Sequence, residues 1–332
     1  MDVGRQISNN HLNQSANMRD LRIVFMGTPF FAVGIMKKLV ANGITIVGVV
    51  TAPDKPAGRG RKLRESAVKE YAVSQNLPIL QPTNLKSEDF LQELDNLDAN
   101  LQVVVAFRML PKVVWDMPEY GTFNLHASLL PDYRGAAPIN WAVINGETKT
   151  GVTTFFIDEK IDTGAIIDSR EITISANETA GSLHDKLMEI GGILVLNTIE
   201  LIRNNEAQPR EQYKTKALKE APKLTSENTQ INWSHPIDRV DSFIRGLSPY
   251  PSAWTLLING GEKMKVKIFD CAVENADHFE ASGSLLITKK ELKVAVKGGY
   301  LSIKVMQLPT KRKMEIAALL NGYDFEEDAK FV

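Results

Sequence analysis

Residues 101–107 read LQVVVAF, a short run that is apolar at every position but one. A run of this length, rich in β-branched residues, is typical of a strand buried on both faces of a parallel sheet. Two similar runs precede it, LRIVFM at Leu21–Met26 and ITIVGVV at Ile44–Val50. Helical segments lie between these strands, and that alternation predicts an α/β domain with a doubly wound, mostly parallel sheet.

The helices of this domain follow from apolar periodicity. They are predicted at Phe31–Val40, Glu65–Asn76, Glu88–Leu97, Ala137–Asn145 and Ala180–Arg203, with further strands near Val152–Phe156 and Ile166–Ile172. After residue 205 the chain becomes polar and loses its periodicity, which is typical of a linker. Short alternating runs then predict a small, OB-like β-barrel. We therefore expect a disordered extension at residues 1–17, a first domain at 18–205, a linker at 206–227 and a barrel at 228–332.

The composition limits the class of protein. Hydrophobic residues make up 43% of the chain and charged residues 24%, with a formal net charge of −1. No apolar run approaches the roughly 18 residues that a membrane helix needs. The single cysteine, Cys271, excludes an internal disulfide and favours a reducing compartment, so we expect a cytoplasmic protein.

Cofactor signatures are missing from the sequence. No G-x-G-x-x-G motif follows the first strand, and there is no Walker A motif. His and Cys are too sparse and scattered for a zinc site. We therefore expect neither a metal nor a nucleotide cofactor.

The segment Phe123–Asp132 (FNLHASLLPD) directly follows a predicted strand and combines groups suited to acyl transfer. Asn124 and His126 are two residues apart, so on a strand their side chains share a face. An amide can donate to the oxyanion of a tetrahedral intermediate, and an imidazole can help to move a proton from the attacking amine. A histidine near a strand end is, however, more often a structural residue.

Asp162 is a second candidate, in the segment Asp158–Gly164 between two predicted strands. The Thr-Gly that follows it predicts a tight turn that would hold a carboxylate in a cleft. An aspartate in such a turn is, taken alone, more often a turn residue than a catalyst.

Read together, these segments resemble one family. From about Met18 to its C-terminus, the chain resembles the methionyl-tRNA formyltransferases. The matching stretches are Phe25–Pro29, Pro53–Gly60, Asn124–His126 with Ser128–Pro131, Arg134–Pro138, Asp162–Gly164, Ile231–Trp233, Ile244–Gly246 and Pro249–Pro251. The resemblance implies a Rossmann-like formyltransferase domain that moves a formyl group from 10-formyltetrahydrofolate to the amine of initiator methionyl-tRNA.

The same resemblance implies roles for the candidate residues. Asn124 would hold the formyl oxygen, His126 would support it or relay a proton, and Asp162 would orient His126 and help to deprotonate the amine. The folate pocket would be shaped by Ser128, Leu129, Leu130 and Pro131, with Leu101–Phe107 as an apolar wall. We expect the enzyme to be a monomer.

Binding of tRNA would rest on basic residues in two places. The loop Pro53–Leu63 carries Arg59, Arg61 and Lys62, and the matching segment of the family contacts tRNA. The predicted barrel offers Lys263, Lys265 and Lys267, on one face of an alternating strand, together with Lys311, Arg312 and Lys313. Without the resemblance, both sets would be ordinary solvated charges.

Two positions depart from the family pattern. Phe30 stands where an acidic residue is usual after Gly-Thr-Pro, and Phe107-Arg108 replaces a Tyr-Gly run beside the expected folate pocket. Three alternatives remain open: a formyltransferase acting on an amino sugar nucleotide, a hydrolase that releases formate, and a non-enzymatic RNA-binding protein. The first should lack the basic loop, the second should carry a different additional domain, and the third should have lost the candidate catalytic residues.

Overall fold

The computed structural model describes residues 18–57, 62–213 and 218–332. Residues 1–17, predicted as a disordered extension, lie outside the described residues. The chain forms two compact units. The first comprises residues up to Arg134 with Gly151–Glu171 and Asp185–Leu218, and the second comprises Gly135–Thr150, Ile172–His184 and Lys219–Val332. In the described ranges, none of the helices is long and apolar enough to cross a membrane.

The elements up to residue 203 alternate largely between strand and helix. In chain order they are β1 (Ile23–Gly27), α1 (Phe30–Ala41), β2 (Ile46–Val50), β3 (Lys55–Ala57), β4 (Lys62–Arg64), α2 (Ala67–Ser74), β5 (Ile79–Leu80), α3 (Glu88–Asp95), β6 (Leu101–Val105), α4 (Lys112–Trp115), β7 (Thr122–His126), β8 (Arg134–Gly135), α5 (Pro138–Ile144), β9 (Lys149–Phe156), β10 (Ile166–Thr173) and α6 (Ala180–Arg203). The ends agree with the predicted ones to within a few residues.

Seven of these strands form one sheet, in the order β10-β9-β7-β6-β1-β2-β5. β1 runs parallel to β2 and β6, β6 runs parallel to β7, and β9 runs antiparallel to β7. The predicted mostly parallel sheet is therefore confirmed. In register, Gly27 lies beside Val105 and Val105 lies beside Leu125, so the carboxyl ends of β1, β6 and β7 share one edge.

Both faces of this sheet are covered. On one face a buried cluster joins Met26 and Val104 of the sheet to Phe90 of α3 and Val114 of α4. On the other face α6 lies close to β7, because a Cβ added at Gly191 would come within 2.9 Å of Leu125. Side chains alternate along a strand, so the residues next to Leu125 on β7 point to the opposite face.

The remaining elements belong to the second unit. They are β11 (Glu220–Ala221), a 3₁₀ turn (Glu227–Thr229), α7 (Ile237–Leu247), β12 (Ala253–Asn259), β13 (Glu262–Asn275), β14 (Leu285–Ile287), β15 (Leu292–Val296), β16 (Gly299–Gln307), β17 (Met314–Glu315), α8 (Ile316–Leu320) and β18 (Lys330–Phe331). The sheet order is β14-β15-β16-β13-β12-β18, with β17 paired to β16. A bridge between Ser284 and Lys330 joins the two ends of this order, which gives the nearly closed barrel that the sequence predicts.

Helix α7 packs on the barrel and also crosses α5. Asn140 Nδ2 donates a 2.8 Å hydrogen bond to the Gly246 carbonyl oxygen, and Ser242 Oγ lies 3.1 Å from that of Ile144. A Cβ at Gly246 would come within 2.5 Å of Ile144 Cγ1, so only glycine allows this crossing. Inside the barrel the Trp233 and Phe331 rings stack with centroids 5.4 Å apart.

We predict that Phe331→Ala destabilises the second unit. Its side chain is 2% exposed and lies on the strand that closes the barrel, so truncation should leave a cavity and lower the free energy of unfolding by about 3–5 kcal/mol. Urea denaturation measures the change. Phe279→Ala is the matched control, since that side chain is fully exposed and should alter stability by less than about 0.5 kcal/mol. Equal stability of the two variants would contradict the prediction.

Candidate active site

Asn124 and His126 lie at the carboxyl end of β7, the edge at which open α/β sheets bind ligands. Pairing sets Asn124 between Val104 of β6 and Phe155 of β9. The two polar side chains point to the same face of the strand, as their spacing predicts. His126 is buried, with 6% of its surface exposed, while Asn124 is half-buried.

The imidazole of His126 is held by a backbone carbonyl. Its Nε2 lies 2.8 Å from the carbonyl oxygen of Tyr133. Because a carbonyl oxygen only accepts, Nε2 carries the hydrogen, and in the neutral ring the lone pair is on Nδ1. Nδ1 in turn lies 3.8 Å from Asp162 Oδ2. Neutral His126 therefore presents a proton acceptor on the Asp162 side, and its protonated form pairs with the carboxylate.

Asp162 sits on a tight turn between β9 and β10. Its φ of 55° is in the left-handed region, which aspartate tolerates better than most residues. A Cβ at Gly164 would lie 1.7 Å from the Phe156 carbonyl oxygen, so the turn can approach β9 only with glycine there. The Thr163 hydroxyl donates to Asp158 at 2.7 Å. The turn predicted from Asp-Thr-Gly thus exists, and it leaves the Asp162 side chain 14% exposed beside the imidazole.

The predicted folate-binding stretch Ser128–Pro131 forms a mostly buried turn directly after β7. The Ser128 hydroxyl donates to the Asp132 carbonyl oxygen at 2.7 Å. The Thr153 hydroxyl on β9 donates to the Ser128 carbonyl oxygen at 2.7 Å and accepts from the Leu130 amide at 3.2 Å. This turn brings the chain back over β7, so that the carbonyl oxygen of Tyr133 reaches the imidazole of His126. Contact of these residues with folate stays a prediction.

The Asn124 amide is the complementary donor. In the part of the chain that the structure describes, this side chain has no hydrogen-bond partner. Its N–H groups are therefore available to a substrate oxygen on the face that His126 shares. A donor, a proton acceptor and a carboxylate that pairs with that acceptor are the groups that acyl transfer to an amine requires.

Two residues that sequence reasoning did not single out support the Asp162 turn. Gln212, in the segment predicted as a linker, donates from Nε2 to the carbonyl oxygens of Asp162 and Gly164, both at 2.9 Å. Its Oε1 accepts from Arg134 Nη2 at 2.6 Å. Arg134 opens one of the matching motifs and could have been suspected, whereas a glutamine in a polar segment carries no comparable signal.

The predicted tRNA contacts in the basic loop cannot be placed. Arg59, Arg61 and the side chain of Lys62 lie outside the described residues. The backbone on either side forms a hairpin of β3 and β4, in which Lys55 lies opposite Arg64. Contact of this segment with tRNA stays a prediction.

The base of this hairpin is fastened by ion pairs. Lys69 Nζ on α2 lies 2.5 Å from Asp54 and 2.9 Å from Glu65, one residue on each side of the hairpin. Hydrogen bonds from Lys69 and Gln81 lower the pKa of Asp54, and the bond to Asp54 raises the pKa of Lys69. Both groups therefore remain charged at neutral pH, and the ion pairs continue to connect the two ends of the hairpin.

The second unit carries the other predicted contacts. β13 has the expected alternation, with Val266 and Ile268 buried while Lys263 and Lys265 are exposed. The exposed or half-exposed basic positions are Lys263, Lys265, Lys267, Lys311, Arg312 and Lys313. Lys265 Nζ lies 3.7 Å from the centre of the Trp254 ring, a cation–π contact that orders one of these charges.

The two departures from the family pattern lie near the carboxyl edge. Phe30 begins α1 and is 58% exposed. Arg108 donates to the carbonyl oxygens of Pro82 and Thr83, the latter at 3.1 Å. This arginine therefore ties the segment after β6 to the segment after β5, a function that a glycine could not have.

Comparison with known families identifies related proteins along most of the chain. The formyl transferase family model matches residues 21–199, and the model of the formyl transferase C-terminal domain matches residues 223–324. The chain is 56% identical to the methionyl-tRNA formyltransferase of Flavobacterium johnsoniae over 313 residues, which are 94% of this chain and 99% of that relative. Its identity to the enzyme of Bacteroides thetaiotaomicron is 50% over 316 residues, 94% of this chain and 98% of the relative.

A solved structure shares the fold. It is that of WlaRD, a sugar 3N-formyltransferase crystallised in the presence of dTDP and 5-N-formyl-THF. The TM-score is 0.61 at 21% identity, and the match covers 89% of this chain and all of the other. At this identity the likeness concerns the fold alone.

Proposed function

The chain belongs to the formyl transferase family, and we propose that it transfers the formyl group of 10-formyltetrahydrofolate to the amino group of initiator methionyl-tRNA. The observation that carries the proposal is the meeting of Asn124, His126 and Asp162 at one sheet edge. This arrangement occurs in a chain at least 50% identical to two methionyl-tRNA formyltransferases along nearly their whole length. The product is N-formylmethionyl-tRNA, the substrate of translation initiation.

The work is divided along the chain. Residues 18–205 bind the folate and carry out the transfer, residues 228–332 contact the tRNA, and residues 206–227 connect the two. The enzyme acts as a monomer in the cytoplasm and takes no metal.

Asn124 stabilises the charge that develops during the reaction. As the amine attacks, a bond forms between its nitrogen and the formyl carbon, and the formyl oxygen becomes an oxyanion. The Asn124 N–H groups, which have no hydrogen-bond partner among the described residues, donate to that oxygen. Such a donor contributes more in the transition state than in the ground state, because the oxygen is more negative there.

His126 moves the proton. Since Nε2–H is committed to the Tyr133 carbonyl, only Nδ1 can exchange a proton with the reactants. Nδ1 takes the proton of the attacking amine, and the Asp162 carboxylate at 3.8 Å stabilises the resulting imidazolium. The same nitrogen then returns the proton to the folate nitrogen as its bond to the formyl carbon breaks. The sequence leaves open whether His126 relays a proton or supports the oxyanion directly. The geometry favours proton relay.

The folate lies against backbone and apolar groups. In the turn Ser128–Pro131 the Ser128 hydroxyl is bonded to Asp132 and the Leu130 amide to Thr153, so the turn would offer a surface rather than reactive side chains. The Leu101–Phe107 strand end provides the apolar wall beside it. On that side Arg108 holds the segment after β6 against the segment after β5.

The nearest rival is transfer to an amino sugar nucleotide, because a sugar formyltransferase has the same fold. The higher identity to the methionyl-tRNA enzymes favours tRNA as the acceptor. The test is to mix the purified protein with 10-formyltetrahydrofolate and either methionyl-tRNA or an amino sugar nucleotide. We expect formylmethionine only in the first reaction, and formylated sugar alone would overturn the assignment.

Replacing the oxyanion donor tests the chemistry. Asn124→Ala should lower kcat by roughly 10²–10³ while folate binding and thermal stability change little. The measurement is single-turnover formylation, with folate affinity from fluorescence titration. Asn96→Ala, an exposed position in the same unit, should keep wild-type turnover. Near-wild-type turnover in Asn124→Ala would remove this residue from the mechanism.

Removing two lysines tests the tRNA surface. The variant with Lys263→Ala and Lys265→Ala should raise KM for methionyl-tRNA several-fold and leave KM for the folate unchanged. It should also flatten the dependence of log(kcat/KM) on log salt concentration by about 1 per lost phosphate contact. The charge-matched control, Lys37→Ala with Lys86→Ala, removes exposed lysines of the first unit. The same salt slope in both variants would count against this surface.

A further inference from the structure

Gln212 is a buried side chain in a segment that looks like a connector. It is 9% exposed, and its amide makes three hydrogen bonds. Two are donated by Nε2 to the carbonyl oxygens of Asp162 and Gly164, and one is accepted by Oε1 from Arg134. A glutamine whose amide makes three hydrogen bonds inside a connecting segment holds the groups that it contacts in place.

The backbone around Gln212 is held in register with the site. Arg210 and Ile166 exchange two hydrogen bonds of 2.8 Å, amide to carbonyl in both directions, at the beginning of β10. This antiparallel bridge fixes the chain two residues before Gln212. This pairing fixes the backbone next to Gln212, so the side chain of Gln212 reaches the turn from an ordered segment.

The turn that it contacts needs such support. Asp162 is in the left-handed region, and non-glycine residues persist there only where their surroundings hold them. The two carbonyl oxygens that accept from Gln212 flank Thr163, so the amide spans the turn from one end to the other. Without it, either peptide unit could rotate, and rotation would swing the Asp162 carboxylate relative to the imidazole.

We propose that Gln212 is a positioning residue for catalysis, which acts through the turn to hold the Asp162 carboxylate at its distance from His126. This inference rests on the proposed function, which gives Asp162 its role. Arg134 fixes the glutamine in turn, because its Nη2 donates to Oε1 and so leaves Nε2 to face the carbonyl oxygens. The identity of the residue matters: a glutamate at this position would present only acceptors to the two carbonyls.

The first test separates positioning from stability. In Gln212→Ala and Gln212→Glu, kcat for methionyl-tRNA should fall by about 10–100-fold, on the scale that a 1 Å misplacement of a catalytic group produces. KM for both substrates should change less than about two-fold. Rates are expressed per folded protein, with the folded fraction taken from circular dichroism at the assay temperature. A purely structural role would lower the melting temperature and leave kcat per folded molecule unchanged, and that result would overturn the proposal.

A double-mutant cycle shows through which residue Gln212 acts. If it acts through Asp162, then Gln212→Ala should cost less than about three-fold when Asp162→Asn is already present. Thr198→Val is the matched control: it removes another buried side-chain hydrogen bond, the 2.8 Å contact to Thr154, and should leave the activity of both backgrounds unchanged. Full multiplication of the Gln212→Ala and Asp162→Asn effects would show that Gln212 acts independently and would overturn the inference.

The cycle also distinguishes this inference from the proposed function. Loss of activity in Asp162→Asn with full activity in Gln212→Ala refutes the positioning role and leaves the function intact. Full activity in Asp162→Asn refutes the role of the carboxylate itself, and with it the reason for holding the turn.

Discussion

The hydrogen bond from His126 Nε2 to the Tyr133 carbonyl oxygen is the contact on which the rest of the site depends. It decides which nitrogen carries the hydrogen and therefore which nitrogen faces Asp162. The carbonyl reaches the imidazole because the turn Ser128–Pro131 folds back over β7, and Thr153 on the neighbouring strand holds that turn. The chemistry of one side chain is thus set by the shape of the following loop, and the sheet sets the shape of the loop.

The sequence predicts the sheet well because the physical cause is local. Buried parallel strands must be apolar on both faces, so LQVVVAF and the neighbouring strands can be recognised from their composition. The shared face of Asn124 and His126 follows from the two-residue period of a strand for the same reason. The tautomer of His126 and the hydrogen bonds of Gln212 could not be predicted. Both depend on backbone carbonyl oxygens, which every residue has and no residue type reveals.

The segment after residue 205 is a second place where the sequence does not reveal contacts with main-chain groups. Its polar composition and lack of periodicity are typical of a connector, yet Arg210 pairs with Ile166 and Gln212 is buried. Polar residues whose partners are main-chain groups look solvated in a sequence, because the partners leave no pattern. The basic hairpin is comparable: the charges are visible in the sequence, but the ties from Lys69 to Asp54 and Glu65 that fasten its base are not.

The crossing of α5 and α7 has a consequence for biosynthesis. α5 (Pro138–Ile144) contributes Ile144 to the core of the second unit, yet α7, which covers it, is synthesised about 90 residues later. At the usual speed of a ribosome, roughly 5–20 residues per second, α7 is synthesised about 5–20 s after α5. During that interval the apolar side chains of α5 lack their partner, and transiently exposed apolar surface of this kind makes a growing chain prone to aggregation.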